Sequence, residues 1–399
     1  MGAVEQFEWV NPRSLERARE RLRLSITDVV QQADQFGSDY AGITAIALES
    51  WEAGRHEPEL RHLEALSQIY VCPVGWFFLP SIPSEPAALD FRGVAPGATV
   101  GARGMQTLSR FLELADWAED VAIQTGQFAA PQIGLARIED TMHHVVAAER
   151  QRLGFHAGAR IEWTNNEDAF RWWRRQIENL GVYCFLMRLP VSEVRGASHW
   201  GRHGAAFILV NSEDAEAATG RTFTLLHEYA HLILRESRVC DFRGSRDGEK
   251  IERFANLFAA RMLLDRNEVE ERLRELDVHE FRSQWGDGML DKIRAPFHVS
   301  RDVVSIYLEE LELAPKGSYR KKRGVWGKQK AFGRSKTPQG GRTQPVQRLR
   351  MVGSTLARVL SSKEAESTLS VLDLAEVLDV KVEKVPAVLE AFRQGGDGE

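Results

Sequence analysis

Cysteine is nearly missing from this sequence: three occur in 399 residues, Cys72, Cys184 and Cys240. Three scattered thiols cannot build a disulfide scaffold or a cysteine-rich zinc module, and they fit a reducing compartment. Also missing is any run approaching the roughly 18 apolar residues that a membrane-spanning helix needs. The opening residues, MGAVEQFEWVNPRS, lack the basic start and apolar stretch of a secretory signal. These absences predict a cytoplasmic protein with no membrane partner. Hydrophobic residues are not lacking. At 43% they can fill a core. Collagen-like, coiled-coil and wholly disordered classes are excluded, and at roughly 100–200 residues per domain the length predicts two to four domains.

Charge is near balance, with 52 Lys+Arg against 57 Asp+Glu, but it is not evenly spread. Residues 1–80 hold 7 basic and 12 acidic side chains. Residues 315–350 hold 12 basic and no acidic ones. That block is rich in Gly, Pro, Ser, Thr and Gln, which predicts a mobile segment. Its basic residues, with Tyr319, Trp326 and Phe332 between them, suit single-stranded nucleic acid. The favoured alternative is a solvated linker that docks on an acidic surface of the same protein.

Periodicity predicts a mainly α fold with a small β-sheet, an α+β class. The first eighty residues read as an all-α bundle of short helices, followed by a helical connector over 81–135. Three- and four-residue spacing marks helices in TLSRFLELADWAEDVAIQ, MHHVVAAERQRLGF and EDAFRWWRRQIENLG. Two strand-like runs follow, VYCFLMRL (182–189) and AAFILVN (205–211), the second apolar enough for a strand buried on both faces. Two more helices are expected in TFTLLHEYAHLILRE and IERFANLFAARMLL, and another in VSRDVVSIYLEELEL. A domain is therefore placed at 136–314, the basic segment at 315–350 and a helical region at 351–399.

One motif carries chemistry. His227-Glu228-Tyr229-Ala230-His231 is an HExxH sequence on a predicted helix. Residues four apart share a helix face, so both imidazoles can meet one metal ion. Glu228 is displaced by one position and can reach a metal-bound water as its general base. A catalytic zinc takes three protein ligands and keeps one position open. The next helix offers Glu252, with Asn256 four residues on to accept a hydrogen bond from a ligand imidazole. Spacing alone leaves Glu236, Cys240, Asp241, Asp247 and Glu249 as rival ligands. His199, His203, His279, His298 and Tyr307 are candidates to stabilise an oxyanion.

These residues resemble the ImmA/IrrE family of zinc metallo-endopeptidases. Asn211, Arg221, Phe223, Thr224, His227, Glu228 and His231 fit the first part of its pattern. Glu252, Ala255, Asn256, Phe258, Ala259 and Leu263 fit the second, while Leu264-Asp265 stand where the family often has Met-Pro. The resemblance implies a zincin-like domain with one Zn2+ ion, His227, His231 and Glu252 as ligands and Glu228 as catalytic base. It also implies a protein substrate, a transcriptional repressor or a toxin–antitoxin partner.

Residues 11–80 resemble the XRE helix-turn-helix domain through Leu15, Ala18, Arg19 and the spaced set Trp51, Glu52, Gly54 and Pro58. DFRG at 90–93 is similar to the join of such fusions. The resemblance implies double-stranded DNA as a partner. Arg13, Arg17 and Arg21, four apart on one helix, are the candidate phosphate contacts, and Thr44 and Ser50 the candidate base contacts. The expected recognition helix, ITAIALES, has no Lys or Arg, so a protein-docking module is the alternative. The function expected is cleavage of a regulatory protein. The competing expectation is a DNA-binding regulator or antitoxin whose peptidase-like domain serves as a scaffold.

Overall fold

The computed structural model describes residues 10–22, 24–36, 42–70, 72–81, 102–155, 163–188, 195–212, 217–235, 246–278, 280–319 and 343–395. The fold is mainly helical with one small sheet. It divides into two compact units, and among the described residues the division falls after Phe111.

The first unit packs α1 (Pro12–Arg21), α2 (Ile26–Phe36), α3 (Ala45–Glu52) and α4 (Leu60–Tyr70), closed by a 3-10 turn at Val74–Phe78. Asn11 and Thr44 cap α1 and α3 by accepting from backbone N–H groups, and Ser25 and Asp28 bond each other at the start of α2. Leu15, Val29, Leu48, Leu66, Ile69 and Phe77 fill the core. The W-E-x-G-x-x-x-P set is spent on this packing. Trp51 is buried against the His62 ring at 4.9 Å, and Pro58 is buried as well. Glu52 takes both ends of the Arg19 guanidinium at 2.7 and 2.8 Å. Gly54 sits at φ +67°, where a Cβ would be strained.

The second unit is built on three strands in the order β1-β3-β2. β1 (Tyr183–Met187) runs parallel to β3 (Ala206–Asn211), and β2 (Gly196–Trp200) runs antiparallel to it. β3 is buried along its whole length, as a central strand covered on both faces must be. Helix α8 (Ala217–Leu234) lies against β2 and β3, flanked by α7 (Asn166–Asn179) and α9 (Arg246–Leu263). Before them run the part of α5 (Ala102–Gln124) that follows Phe111, and α6 (Met142–Arg152). Trp173, Ile177, Leu226, Tyr229, Ala230, Phe254 and Phe258 form the shared core. Behind α9, a satellite core joins α10 (Arg266–Glu275), α11 (Asp287–Arg294) and α12 (Arg301–Glu310).

The chain resumes at α13 (Gln344–Leu360), which packs on β1 and α7 and carries α16 (Val385–Gly395) on its other side. Two short helices, α14 (Lys363–Thr368) and α15 (Val371–Val377), lie between. Both strand-like runs of the sequence are strands, and the predicted helices from 107 to 313 form. β2 was not expected. The stretch predicted as basic and mobile lies mostly outside the described residues, including Trp326 and Phe332, while Tyr319 is buried.

Candidate metal centre

Helix α8 owes its orientation to an uneven distribution of side chains. Leu225, Leu226, Tyr229, Ala230, Leu232 and Ile233 are all buried. On its back face the Tyr229 hydroxyl donates to Glu149 of α6 at 2.6 Å. Burial, then the Glu149 carboxylate, push the Tyr229 pKa well above its ordinary value, which keeps the proton on the phenol for that bond. At the first turns of the helix Arg221 pairs with Glu167 and covers the Phe170 ring at 5.1 Å.

With the back face fixed, His227 and His231 stand one turn apart on one face, their Nε2 atoms 3.1 Å from each other. Glu252 of α9 meets them, one oxygen 3.6 Å from His227 Nε2 and the other 3.5 Å from His231 Nε2. Among the described residues these three form the one cluster of His, Cys, Asp and Glu able to hold a metal ion. Zinc ligands lie ~2.0–2.1 Å from the ion, so donors of a tetrahedral centre stand roughly 3.3 Å apart. The three donors are held at nearly that spacing. Two imidazoles and a carboxylate are also a donor set that zinc accepts. The residues present fit the ion.

Glu228 is 3% exposed and lies toward β2. Its Oε2 accepts from the Ser198 hydroxyl at 2.9 Å. β2 approaches α8 closely here: a Cβ on Gly196 would lie 2.5 Å from Thr224 Cγ2 and 3.0 Å from Glu228 Cγ.

The other candidates are dispersed. Asn256 is half-buried a turn beyond Glu252. Glu236, Cys240, Asp241 and His279 lie outside the described residues, as do the side chains of Asp247 and Glu249. His199 faces away from α8 and stacks on Phe207, because strand alternation puts it on the side opposite Ser198. His203 sits exposed in the β2–β3 turn. His298 pairs through Nδ1 with Asn166 at 2.9 Å, and Tyr307 packs in the satellite core, its pKa pushed up to about 12 by burial. Ser198 was not foreseen. A lone serine in GASHW carries no motif, and only the strand pairing reveals it.

In the first unit Arg13 and Arg17 are exposed. Arg21, four residues on, is turned inward: it donates to Tyr70 O and lies over the Trp76 ring at 4.9 Å. Ser50 is buried, its hydroxyl 2.7 Å from His56 Nδ1. Thr44 is exposed, but its oxygen caps α3.

No helix of the described residues is long and apolar enough to cross a membrane. No curated protein and no solved structure matches the chain. Residues 177–309, which carry the sheet, α8, α9 and almost all of α12, match the Peptidase_M78 family model, the IrrE N-terminal-like domain, and this similarity supports a zinc-type metallopeptidase.

Proposed function

We propose that the chain is a zinc-dependent endopeptidase that cleaves a regulatory protein of the repressor or antitoxin type. One observation carries the reading: His227, His231 and Glu252 converge from two helices with Glu228 buried beside them. The two Nε2 atoms and a Glu252 oxygen would hold the ion, leaving a position for water or substrate. When bound, the ion supplies Lewis acidity, lowering the pKa of a ligated water and polarising the scissile carbonyl. Glu228 takes a proton from the attacking water at its carboxylate and returns it to the leaving amide nitrogen.

The test compares wild type with Glu228→Gln, measuring bound zinc and incubating each with the proteins encoded beside the gene. Both should bind one zinc, and Glu228→Gln should cleave at least ~100-fold more slowly. Glu252→Ala should weaken zinc binding by at least about a hundredfold. Absence of zinc from wild type would sink the reading. Zinc binding with cleavage by neither protein would leave a binding scaffold, and equal cleavage by both would overturn the peptidase reading with Glu228 as base.

For the N-terminal unit we propose recruitment of a protein partner. Support comes from α3, whose outward residues include Thr44, Ala45, Glu49 and an Ile46 that is 81% exposed, with no cation among them to meet phosphate. A salt titration of duplex DNA binding by the full chain decides. Affinity that falls steeply with salt, and falls again in Arg13→Glu/Arg17→Glu, would restore a DNA-binding role.

A further inference from the structure

We propose that Ser198 is a positioning residue that holds the carboxylate of the general base. The proposal rests on the metallopeptidase reading, since the role of Glu228 gives the contact its consequence.

The geometry begins with strand alternation. β2 turns Gly196, Ser198 and Trp200 toward α8. Gly196 packs on Thr224 and Glu228, Ser198 bonds Glu228, and Trp200 lies 5.2 Å under the Arg235 guanidinium. A Cβ at 196 would force Thr224 or Glu228 to shift, so glycine is what lets β2 lie this close to the base. At the observed separation Ser198 Oγ stands 2.9 Å from Glu228 Oε2. A hydroxyl has one proton to give, and an ionised carboxylate is its strongest common acceptor. A glutamate side chain has three rotatable bonds. Burial removes most of its rotamers, and a fixed donor selects among those left.

The turn that follows the strand carrying Ser198 is held as well. Glu119 of α5 is fully buried and accepts from the backbone N–H groups of His203 at 3.1 Å and Ala205 at 2.8 Å, both in the β2–β3 turn. Gly201 leaves room for that carboxylate, since a Cβ there would meet it at 2.5 Å. Ser198 is thus a donor on a strand packed on α8 and held at the turn that follows it, aimed at the one carboxylate of the HExxH sequence. A base held in its working orientation before substrate arrives needs no reorganisation in the transition state. Ser198 itself touches no reacting atom.

The experiment uses the full chain labelled with 13C at the glutamate carboxyl carbons. The Glu228 resonance is identified by its loss in Glu228→Gln. It should shift in Ser198→Ala and return in Ser198→Thr, which restores the hydroxyl. A resonance unmoved by Ser198→Ala overturns the proposal without reference to zinc or cleavage. Kinetics on a protein encoded beside the gene give the second arm. Ser198→Ala should lower kcat roughly tenfold at unchanged KM and unchanged zinc stoichiometry, with recovery in Ser198→Thr. Equal kcat in Ser198→Ala and wild type overturns the proposal. Failure of wild type to bind zinc or to cleave overturns the metallopeptidase reading instead.

Discussion

The sheet of the second unit has two edges, and they are treated in opposite ways. The β1 edge is sealed by the C-terminal helices. Met187 O accepts from Ser212 N on the β3 side, so Val182 O and Cys184 O point the other way. Thr355 of α13 donates to Val182 O at 3.0 Å, and Arg174 of α7 donates to Cys184 O. The same guanidinium bonds Glu178 at 2.8 Å and Arg350 O at 2.7 Å. Glu178 in turn accepts from Ser354 N. Gly353, at φ +76°, lets α13 come this close; a Cβ there would lie 2.7 Å from Cys184 O. The β2 edge meets no strand among the described residues, and β2 is the strand that bears Ser198 beside the proposed base. One edge is built for permanence, while the other is kept narrow and precisely spaced by small residues. The difference teaches where substitutions should unfold the unit and where they should only disarm it.

The largest effect is expected on the sealed edge. Arg174→Ala leaves Glu178, 4% exposed, without its cation, and strips Cys184 O of a donor. Breaking a buried pair from one side costs about 3–5 kcal/mol. Urea unfolding of the full chain should show that loss. Replacing both partners, Arg174→Met with Glu178→Leu, should cost less than the single change. A loss under ~1 kcal/mol for Arg174→Ala would mean that apolar packing alone holds α13.

Gly196→Ala on the other edge should do the reverse. The added methyl must displace Thr224 or Glu228 by a few tenths of an ångström or more, an overpacking cost of roughly 1–3 kcal/mol. The melt should therefore move less than for Arg174→Ala, while cleavage falls further than stability explains. Unchanged cleavage would show that the close approach of β2 to α8 is not needed.

The same contrast explains what could be read in the sequence. The β3 run, AFILVN, is apolar from Ala206 to Val210 because both its faces are buried, so its strand was legible. Two donors of the cluster were legible because HExxH fixes them by helical spacing, whereas spacing left Glu252 among rivals and the packing of α9 on α8 brings it to them. β2 was not, since GASHW lacks the β-branched residues of an ordinary strand. Its small residues are there because α8 lies directly against it. The C-terminal region showed only helical period. Its docking depends on contacts more than 170 positions apart in the chain, such as Thr355 to Val182, which no local pattern encodes. Four-residue spacing groups Arg21 with Arg13 and Arg17, and residue type picks Ser50 from ITAIALES. Neither signal tells an outward arginine from one lying over Trp76.

The smallest predicted effect lies on the hidden face of β2. His199 stacks on Phe207 with ring centroids 6.2 Å apart, and burial holds its pKa below the ordinary value, against the opposing pull of Asp116 and Glu119. In the unfolded chain the imidazole titrates near ~6.5. As pH falls through that value the unfolded state takes up a proton that the folded state still refuses, so stability drops, and it goes on dropping until the lower folded pKa is passed. His199→Gln removes the proton site from both states. The difference in unfolding midpoint between wild type and His199→Gln should thus be constant above neutrality and turn against wild type as pH falls below ~6.5. The other histidines are common to both proteins and cancel. A difference flat with pH would show that His199 titrates alike in both states. The hidden face of β2 would then be as wet as its edge, and the strand would be clamped only through Ser198 and the Glu119 bonds to its turn.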